Sequence, residues 1–334
     1  MKKTLIPLVI LALVMLATSV AKRSAERQAT GAKRALAAHS DQLYVEVSAL
    51  GNLDYFYDHK LGMTLAGEAF GVRTKYVGPA EYDMPAMITA FEQALAKKGL
   101  KGIVVVGFEP ALEPIINKAV ESGIPVVTVD ADLPNSKRVA FVGTGNYKAG
   151  YEGGSRLAKL IGGKGKVALM TKVGQSNLDE RVSGYQDALA KYKNITIVQI
   201  VDTQSDAVIA AQVATAALRK NPNLAGIGCV EAAGGVGAAT AVKEAGLVGK
   251  VKIVSMDRGN EVLQLIGEGV IDATVAQRTA LMPYYAVQIL YDLNNQNIPI
   301  TEDNRKARVL PAPSYVDTGV ILVDKSNYKY FLRK

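Results

Sequence analysis

The chain has 334 residues, of which 49% are apolar and 21% are charged, so it can bury a large core and is not mainly disordered. Lysine and arginine total 39 against 31 acidic residues, a net charge of +8, but the basic residues are scattered and tryptophan is absent. Nucleic-acid binding needs clustered basic residues with aromatic residues among them, so this composition argues against that function. The length corresponds to about two domains.

The first 21 residues are predicted to form a leader. Lys2 and Lys3 precede an apolar stretch over residues 5–17, and small residues follow it, which is the order of a secretory signal. The apolar stretch is shorter than the roughly 20 residues that span a membrane. We therefore expect export to the periplasm or another extracytoplasmic location, with residues 22–42 as a linker. The alternative is an uncleaved N-terminal membrane anchor, which would be the chain's only membrane contact.

From residue 43 onward, strand patterns alternate with helix patterns. The first cycle comprises strand 44–50, helix 55–70, strand 73–77, helix 84–98, strand 103–106, helix 111–122, and strands 126–129 and 139–142. The second comprises helix 146–161, strand 166–170, helix 178–192, strand 195–201, helix 207–220, strand 227–230, helix 236–245, strand 253–256, helix 261–268, strand 273–276 and helix 282–293. Such alternation predicts α/β architecture with parallel sheets and helices on both faces. Two cycles, before and after about Gly143, predict two similar doubly wound lobes.

Several of the apolar strand patterns end on an acidic or amide side chain. Asp130 and Asp132 follow one such run, and Glu231, Asp257 and Gln277 each follow another. In open parallel sheets, ligands bind beyond the carboxyl ends of the strands, so these side chains are candidate hydrogen-bonding groups for a small polar ligand. For each acid taken alone, a helix N-cap or loop residue is an equally good interpretation.

Five segments follow one another along the chain: GIPVVTVD (123–130), FVGTGNYKAG (141–150), ERVSGY (180–185), KIVSMD (252–257) and ATVAQ (273–277). In this order they resemble the ribose-type periplasmic substrate-binding proteins of ABC sugar importers. The resemblance extends from Leu43 to the end of the chain and implies the type I core, shared with the lac repressor. It also implies a three-segment hinge, with crossings near Gly143, Gln277 and Arg308.

This resemblance implies both the domain division and the function. The N-terminal lobe would comprise residues 43–143 and 278–308, and the C-terminal lobe residues 144–277 and 309–334. The two lobes would close on a small neutral sugar or polyol and deliver it to an ABC importer permease. We expect a monomer that is not an enzyme and that has no cofactor and no metal site.

The family's ligand contacts can be carried over residue by residue. They fall on Tyr55, Phe56, Asp130, Glu231, Asp257 and Gln277, and the two aromatic rings would lie against the C–H face of a sugar. Ribose binders have one arginine at the position of Ala131, which precedes Asp132 here, and another at the position of Asp179. The loss of two donors argues against ribose itself. The additional acids Asp132 and Asp179 favour a ligand that offers donors, such as a polyol or a furanose.

Two alternative functions remain at this point. Gly235-Val-Gly237 follows a strand, opens a helix pattern and has Asp257 about twenty residues beyond it, as in an NAD(P)-binding oxidoreductase. The competing interpretation is that the glycines let the helix pack closely on the sheet. The second alternative keeps the fold but makes the chain a ligand-binding sensor, similar to the autoinducer-2 receptors, without transport.

Four further residues carry expectations. Arg258 and Arg278 directly follow site acceptors in the chain and are predicted to neutralise the neighbouring acids. The lone cysteine, Cys229, is predicted to be a core residue at the end of a strand, and His59 a surface or packing residue.

Overall fold

A computed structural model describes residues 39–296 and 298–333. The predicted leader and most of the predicted linker therefore lie outside the described residues. Among the residues that are described, no helix is both long enough and apolar enough to cross a membrane.

The described elements alternate between strands and helices. In chain order they are β1 (Leu43–Val47), α1 (Tyr57–Phe70), β2 (Arg73–Val77), α2 (Met84–Leu95), β3 (Leu100–Val106), α3 (Glu113–Glu121), β4 (Val126–Val129), β5 (Ala140–Gly143), α4 (Asn146–Leu160), β6 (Lys164–Thr171), α5 (Ser176–Ala190), β7 (Asn194–Asp202), α6 (Ala207–Lys220), β8 (Leu224–Cys229), α7 (Ala232–Glu244), β9 (Lys252–Met256), α8 (Asn260–Glu268), β10 (Ala273–Gln277), α9 (Leu281–Asn295), α10 (Asn304–Ala307), β11 (Tyr315–Asp317) and β12 (Val320–Asp324). A short 3-10 turn, Asp54–Phe56, leads into α1.

The first lobe is built on a sheet with the strand order β11-β5-β4-β3-β1-β2, in which neighbouring strands pair in parallel. Its strands are apolar on both faces because helices cover both. Val45 and Ile103 pack on the side of α2 and α3, whereas Tyr44 and Val104 pack on the side of α1 and α9. The parallel, two-faced sheet predicted from the unbroken apolar runs is confirmed.

The second lobe repeats this design with the strand order β12-β10-β9-β8-β6-β7. Leu157 of α4 and Tyr185 of α5 pack on one face, and Ala214 of α6 and Ala238 of α7 pack on the other. Strand β12 pairs antiparallel with β10, and the other neighbours pair in parallel. Two similar doubly wound lobes are therefore present, as predicted.

The C-terminal strands correct the predicted lobe boundary. Tyr315 pairs with Phe141 at the start of the β11–β5 ladder, so β11 belongs to the first sheet, whereas β12 belongs to the second. The chain therefore passes between the sheets at Thr318 and Gly319, not near Arg308. Gly319 adopts a left-handed backbone conformation, with φ 71°, that glycine accommodates without steric cost.

Candidate ligand-binding site between the lobes

Two predicted site acids share an unusual backbone conformation. Asp130 follows β4 in the first lobe and Asp257 follows β9 in the second, and their φ angles are 65° and 66°. Positive φ is uncommon for residues other than glycine, although aspartate tolerates it better than most. Strained backbone of this kind concentrates at functional sites, where it aims a side chain. The strand ends of both lobes thus carry an acid held in the same conformation.

On the side of the first lobe, Tyr55 and Asp130 form a hydrogen-bonded pair. The Tyr55 hydroxyl donates to Oδ1 of Asp130 over 2.6 Å. Burial, together with the negative charges of Asp130 and Asp257, raises the pKa of Tyr55 well above its ordinary value. The hydroxyl therefore stays protonated and acts as a donor. Tyr55 of the first lobe and Asp257 of the second line the same cavity, so the two lobes face each other here.

On the side of the second lobe, a chain of hydrogen bonds runs through Gln277. Its Nε2 donates to Oδ1 of Asp257 over 2.9 Å, and its Oε1 accepts from Nη2 of Arg181 over 3.2 Å. Arg181 is 4% exposed and also donates to Oδ1 of Asn146 and to the carbonyl oxygen of Val230. The buried guanidinium thus has partners from three separate segments, as a buried charge requires.

The sequence analysis missed Arg181 as a site residue. It lies in the segment ERVSGY that carried part of the family resemblance, but nothing local marked it. Its partners come from distant strand ends, so its role becomes visible only in the folded chain.

The charges around Asp257 oppose one another. Burial raises the pKa of its carboxyl group, Arg181 and the Gln277 hydrogen bond lower it, and the charges of Asp130 and Glu231 raise it again. The net pKa lies above the ordinary value of 3.8. Acids from both lobes therefore converge on one region, and a hydrogen-bond donor placed among them would be strongly attracted.

A cavity of about 150 Å³ lies between the two lobes. Its lining residues are Leu53, Tyr55 and Asp58 of the first lobe, Ala232, Asp257, Arg258, Gly259 and Gln277 of the second, Thr279 of the hinge, and Arg333. Its volume is below the roughly 300–1,000 Å³ of sites for drug-sized ligands. The mixture of acids, amide, hydroxyls and guanidinium groups suits a small molecule with many oxygen atoms.

Five predicted site residues are not among those that line this cavity. Asp130 binds Tyr55, which does line it, and Glu231 caps α7. The other three lie in different surroundings. Asp132 binds Arg138 through both carboxylate oxygens, at 2.5 and 2.6 Å, and accepts from Oγ1 of Thr128, so it organises its own loop. Phe56, the last residue of the 3-10 turn, is 2% exposed and packs in the core of the first lobe. Asp179 is exposed on the first turn of α5. Their contacts and exposure do not support the predicted ligand roles.

Glu231 lies close to the acid cluster, but its carboxylate caps α7. Oε2 accepts from the backbone N–H of Ala233, and Oε1 accepts from the N–H of Gly234 and the hydroxyl of Thr203, all at 2.8 Å. The helix N-cap interpretation is therefore confirmed for this residue. Three donors leave little acceptor capacity for a ligand.

The glycines of the dinucleotide-like segment are packing residues, so this segment does not form a dinucleotide-binding turn. Gly235 and Gly237 lie within α7, not in a turn before it. A Cβ atom on Gly235 would lie 1.8 Å from Oγ of Ser255, and one on Gly237 would lie 2.4 Å from Cβ of Ala210. The first N–H groups of α7, which would bind phosphates in a dinucleotide site, already bind Glu231.

Arg258 does not pair with the acid beside it. Its Nη2 binds Oδ2 of Asp58, a residue of α1 in the other lobe. The same carboxylate accepts from Oγ1 of Thr279 over 2.7 Å and contacts Nη2 of Arg333 at 3.1 Å. Arg278, the second arginine predicted to neutralise site acids, is exposed. Cys229 and His59 are fully buried, as a core and a packing residue respectively.

The chain is similar to known solute-binding proteins in both sequence and structure. Residues 43–297 match the family described as a periplasmic binding protein domain. The D-allose-binding periplasmic protein of Escherichia coli is 30% identical over 71% of this chain and 80% of its own length. The arabinose-binding protein AraP of Geobacillus stearothermophilus is 37% identical, with a TM-score of 0.82, and the match covers 88% of this chain and 100% of that one. An ABC-transporter solute-binding protein from Burkholderia graminis, in complex with D-arabinose, is 28% identical, with a TM-score of 0.76 and coverage of 88% and 99%.

Proposed function

The chain belongs to the periplasmic binding protein family, and from that premise we propose that it is an extracytoplasmic receptor for a small neutral sugar or polyol. The receptor closes on its ligand between the two lobes and delivers it to an ABC importer. The observation that carries this proposal is the cavity between the lobes, because side chains of both lobes line it.

The chemistry of the cavity wall suits hydroxyl groups. Asp257 accepts hydrogen bonds, and bonds to an ionised carboxylate are roughly twice as strong as neutral ones. Gln277 carries both donor and acceptor atoms, so it can bind a hydroxyl in either role. Tyr55 supplies a ring for the apolar C–H face of a sugar, and its hydroxyl ties that ring to Asp130. These four residues are the proposed contacts and orienting groups.

The size and charge of the cavity favour a neutral monosaccharide or polyol. Asp58 and Asp257 are matched there by Arg258 and Arg333, so the wall as a whole favours neither an anion nor a cation. The similar proteins are named for D-allose and arabinose, which are neutral monosaccharides with several hydroxyl groups. A ligand of this class is the best match for this chain.

Closure follows from the way the lobes are joined. The chain passes between the two sheets after β5, after β10 and between β11 and β12, so rotation of one lobe against the other involves few residues. A ligand that contacts both lobes binds the closed arrangement more tightly than the open one and shifts the population towards it. The closed receptor then presents one defined surface to the importer. We propose that it acts as a monomer in the periplasm or another extracytoplasmic location, and that it is anchored to the membrane if the leader is not cleaved.

A thermal-shift screen tests the proposed function. The panel comprises D-allose, L-arabinose, D-arabinose, D-ribose, xylitol and autoinducer-2, with NADH as a ligand of a different class. Binding stabilises the folded chain by RT ln(1 + [L]/Kd), about 2.7 kcal/mol at a concentration of 100 Kd. We expect at least one neutral sugar or polyol to raise the melting temperature by several degrees and NADH to leave it unchanged. Stabilisation by NADH alone would contradict the proposal.

A further inference from the structure

Asp58 links the two lobes through its side chain. It lies on α1 of the first lobe and is 5% exposed. Oδ2 of Asp58 binds the guanidinium groups of Arg258 and Arg333 and the hydroxyl of Thr279. Arg258 follows β9 of the second lobe, and Thr279 lies in the hinge segment after β10. One carboxylate of the first lobe is therefore held by a hydroxyl of the hinge segment and by two arginines of the second lobe.

Both arginines also form hydrogen bonds with other residues outside the first lobe, which tie them to the second lobe. Nη1 of Arg258 donates to the carbonyl oxygen of Phe331 over 3.2 Å, and the Phe331 side chain packs against the core of that lobe. The backbone N–H of Arg333 donates to Oδ1 of Asn260 at the start of α8. The guanidinium of Arg333 also lies over the ring of Tyr57, 5.9 Å from its centroid. The C-terminal segment thus crosses from the second lobe to the surface of α1.

The contacts of Asp58 with Arg258 and Arg333 exist only while the lobes are together. Burial alone would raise the pKa of Asp58, but the Thr279 hydrogen bond and the charges of Arg258 and Arg333 lower it below its ordinary value. The carboxylate is therefore ionised at neutral pH. Rotation of the second lobe away from α1 would break the contacts with Arg258 and Arg333 and open the carboxylate to water, so these two ion pairs form in the closed arrangement alone.

We propose that Asp58 is a positioning residue for closure, which holds Arg258 and Arg333 across the cleft and stabilises the closed arrangement before a ligand binds. All three side chains line the cavity, so the same contacts also fix two guanidinium groups in its wall. The apparent affinity of a ligand for a receptor rises in proportion to the fraction that is already in the binding-competent state. The role of this closure in sugar binding rests on the proposed function, but the effect of Asp58 on closure does not depend on it.

The test measures the distance between the lobes without any ligand. Nitroxide labels are attached at Ala80→Cys, in the loop after β2, and at Val173→Cys, in the loop after β6; both positions are exposed, and Cys229 is fully buried. Pulsed electron spin resonance then gives the distribution of closed and open distances. The distribution is recorded for the double-labelled chain without further substitution, and for the same labelled chain carrying Asp58→Asn, Arg258→Gln or both. The matched control is Glu268→Gln, which removes an exposed ion pair with Lys243 inside the second lobe.

We expect Asp58→Asn and Arg258→Gln each to reduce the closed population by at least about threefold, and the double variant to reduce it no further than Asp58→Asn alone, because Arg258→Gln removes a contact that Asp58→Asn already removes. Glu268→Gln is expected to leave the distribution unchanged. Arg258→Gln carries the test if Asp58→Asn does not fold. Unchanged distances in Arg258→Gln, or losses that simply add in the double variant, would overturn the proposal. Because no sugar is present, such a failure would leave the proposed function untouched.

Discussion

Tyr55 and Asp130 are joined by a hydrogen bond of 2.6 Å, in which the tyrosine hydroxyl occupies Oδ1 of the acid. The family resemblance assigns Asp130 to the ligand, yet in this chain one of its oxygens is already engaged by a side chain of the same lobe. The ring of Tyr55 lines the cavity, and Asp130 holds the ring in place from behind. This pairing determines how much acceptor capacity the first lobe offers.

The first prediction concerns selectivity. Tyr55→Phe keeps the ring but frees Oδ1 of Asp130 for a ligand hydroxyl. A hydrogen bond to a charged group contributes about 1.5–3 kcal/mol, so preference for the best sugar over its deoxy analogues should rise about tenfold for the hydroxyl that reaches this oxygen. Calorimetry with the best sugar and with its deoxy analogues gives the ratio of their affinities for Tyr55→Phe and for the unsubstituted chain. Tyr57→Phe, at an exposed neighbouring tyrosine, is the control, and identical ratios in all three proteins would refute this role.

The second prediction concerns pH. Burial raises the pKa of Asp257 above 3.8, and protonation removes its charge as an acceptor. Sugar affinity is therefore expected to be full at neutral pH and to fall as the pH decreases through this raised pKa. Because the pKa of Asp257 is raised in the folded chain, the folded state binds the carboxyl proton more tightly than the unfolded state does. Protonation of Asp257 therefore does not destabilise the unliganded chain as the pH falls. Calorimetry at pH values from about 7 to about 4 tests this.

Asp257→Asn is the control for the pH series, since it removes the titrating group. Its lower affinity should be nearly independent of pH over the same range. An equal loss of affinity with acid in the variant and in the unsubstituted chain would assign the effect to another group. Asp58 stays ionised over this window because its pKa is lowered, so closure is expected to persist.

The third prediction concerns a buried ion pair behind Tyr55. Nδ1 of His59 lies 2.6 Å from Oε1 of Glu46, and both side chains are fully buried. Although burial would lower the pKa of His59, Glu46 raises it above 6.5. The stabilisation of the folded chain by the His59–Glu46 pair is complete at pH values below about 6.5, the pKa of histidine in the unfolded chain. It is lost as the pH rises through the higher pKa of His59 in the folded chain. Denaturant unfolding should show that decrease, and a flat profile would contradict it.

Removal of one partner of this pair should be costly. Glu46→Gln leaves His59 without its charged partner, and breaking a buried pair typically costs about 3–5 kcal/mol of unfolding free energy. Glu121→Gln, which breaks an exposed pair with Lys137, is the matched control and is expected to cost less than about 1 kcal/mol. Comparable losses in the two variants would show that burial does not govern the Glu46 pair.

The fourth prediction concerns the glycines of α7. Gly235→Ala places a methyl group where Ser255 lies, so it should destabilise the second lobe by about 1–3 kcal/mol through overpacking. Gly259→Ala is the control, because apart from its chain neighbours no atom lies within 4 Å of the added methyl group. Thermal unfolding of both variants measures the difference. An unchanged melting temperature for Gly235→Ala would mean that the helix does not need this close packing.

The sequence predicted the elements best where local signals were strong. Helix α6 was predicted with the bounds observed, because Asp206 caps it and its apolar residues recur at helical spacing. Strands β11 and β12 were not predicted, since they are short and no helix separates them. The lobe that each joins is decided by pairing with β5 and β10, which no local pattern reveals.

The site was predicted in part for the same reason. The strand-end rule identified Asp257 and Gln277, because position at the end of a strand is enough to bring them to the cleft. It could not show that Asp132 and Glu231 bind groups of their own lobe, which depends on Arg138 and on the start of α7. Arg181 was missed because its hydrogen bonds join residues far apart in the chain.

The most direct test of the proposed receptor is isothermal titration calorimetry with the sugar or polyol that gives the largest thermal shift. We expect one molecule to bind per chain and Asp257→Ala to weaken binding at least about tenfold, roughly 1.4 kcal/mol, because a ligand hydroxyl loses its charged acceptor. Glu268→Gln, at a residue that does not line the cavity, should bind as the unsubstituted chain does. Equal affinity in Asp257→Ala and in the unsubstituted chain would contradict a ligand site between the lobes.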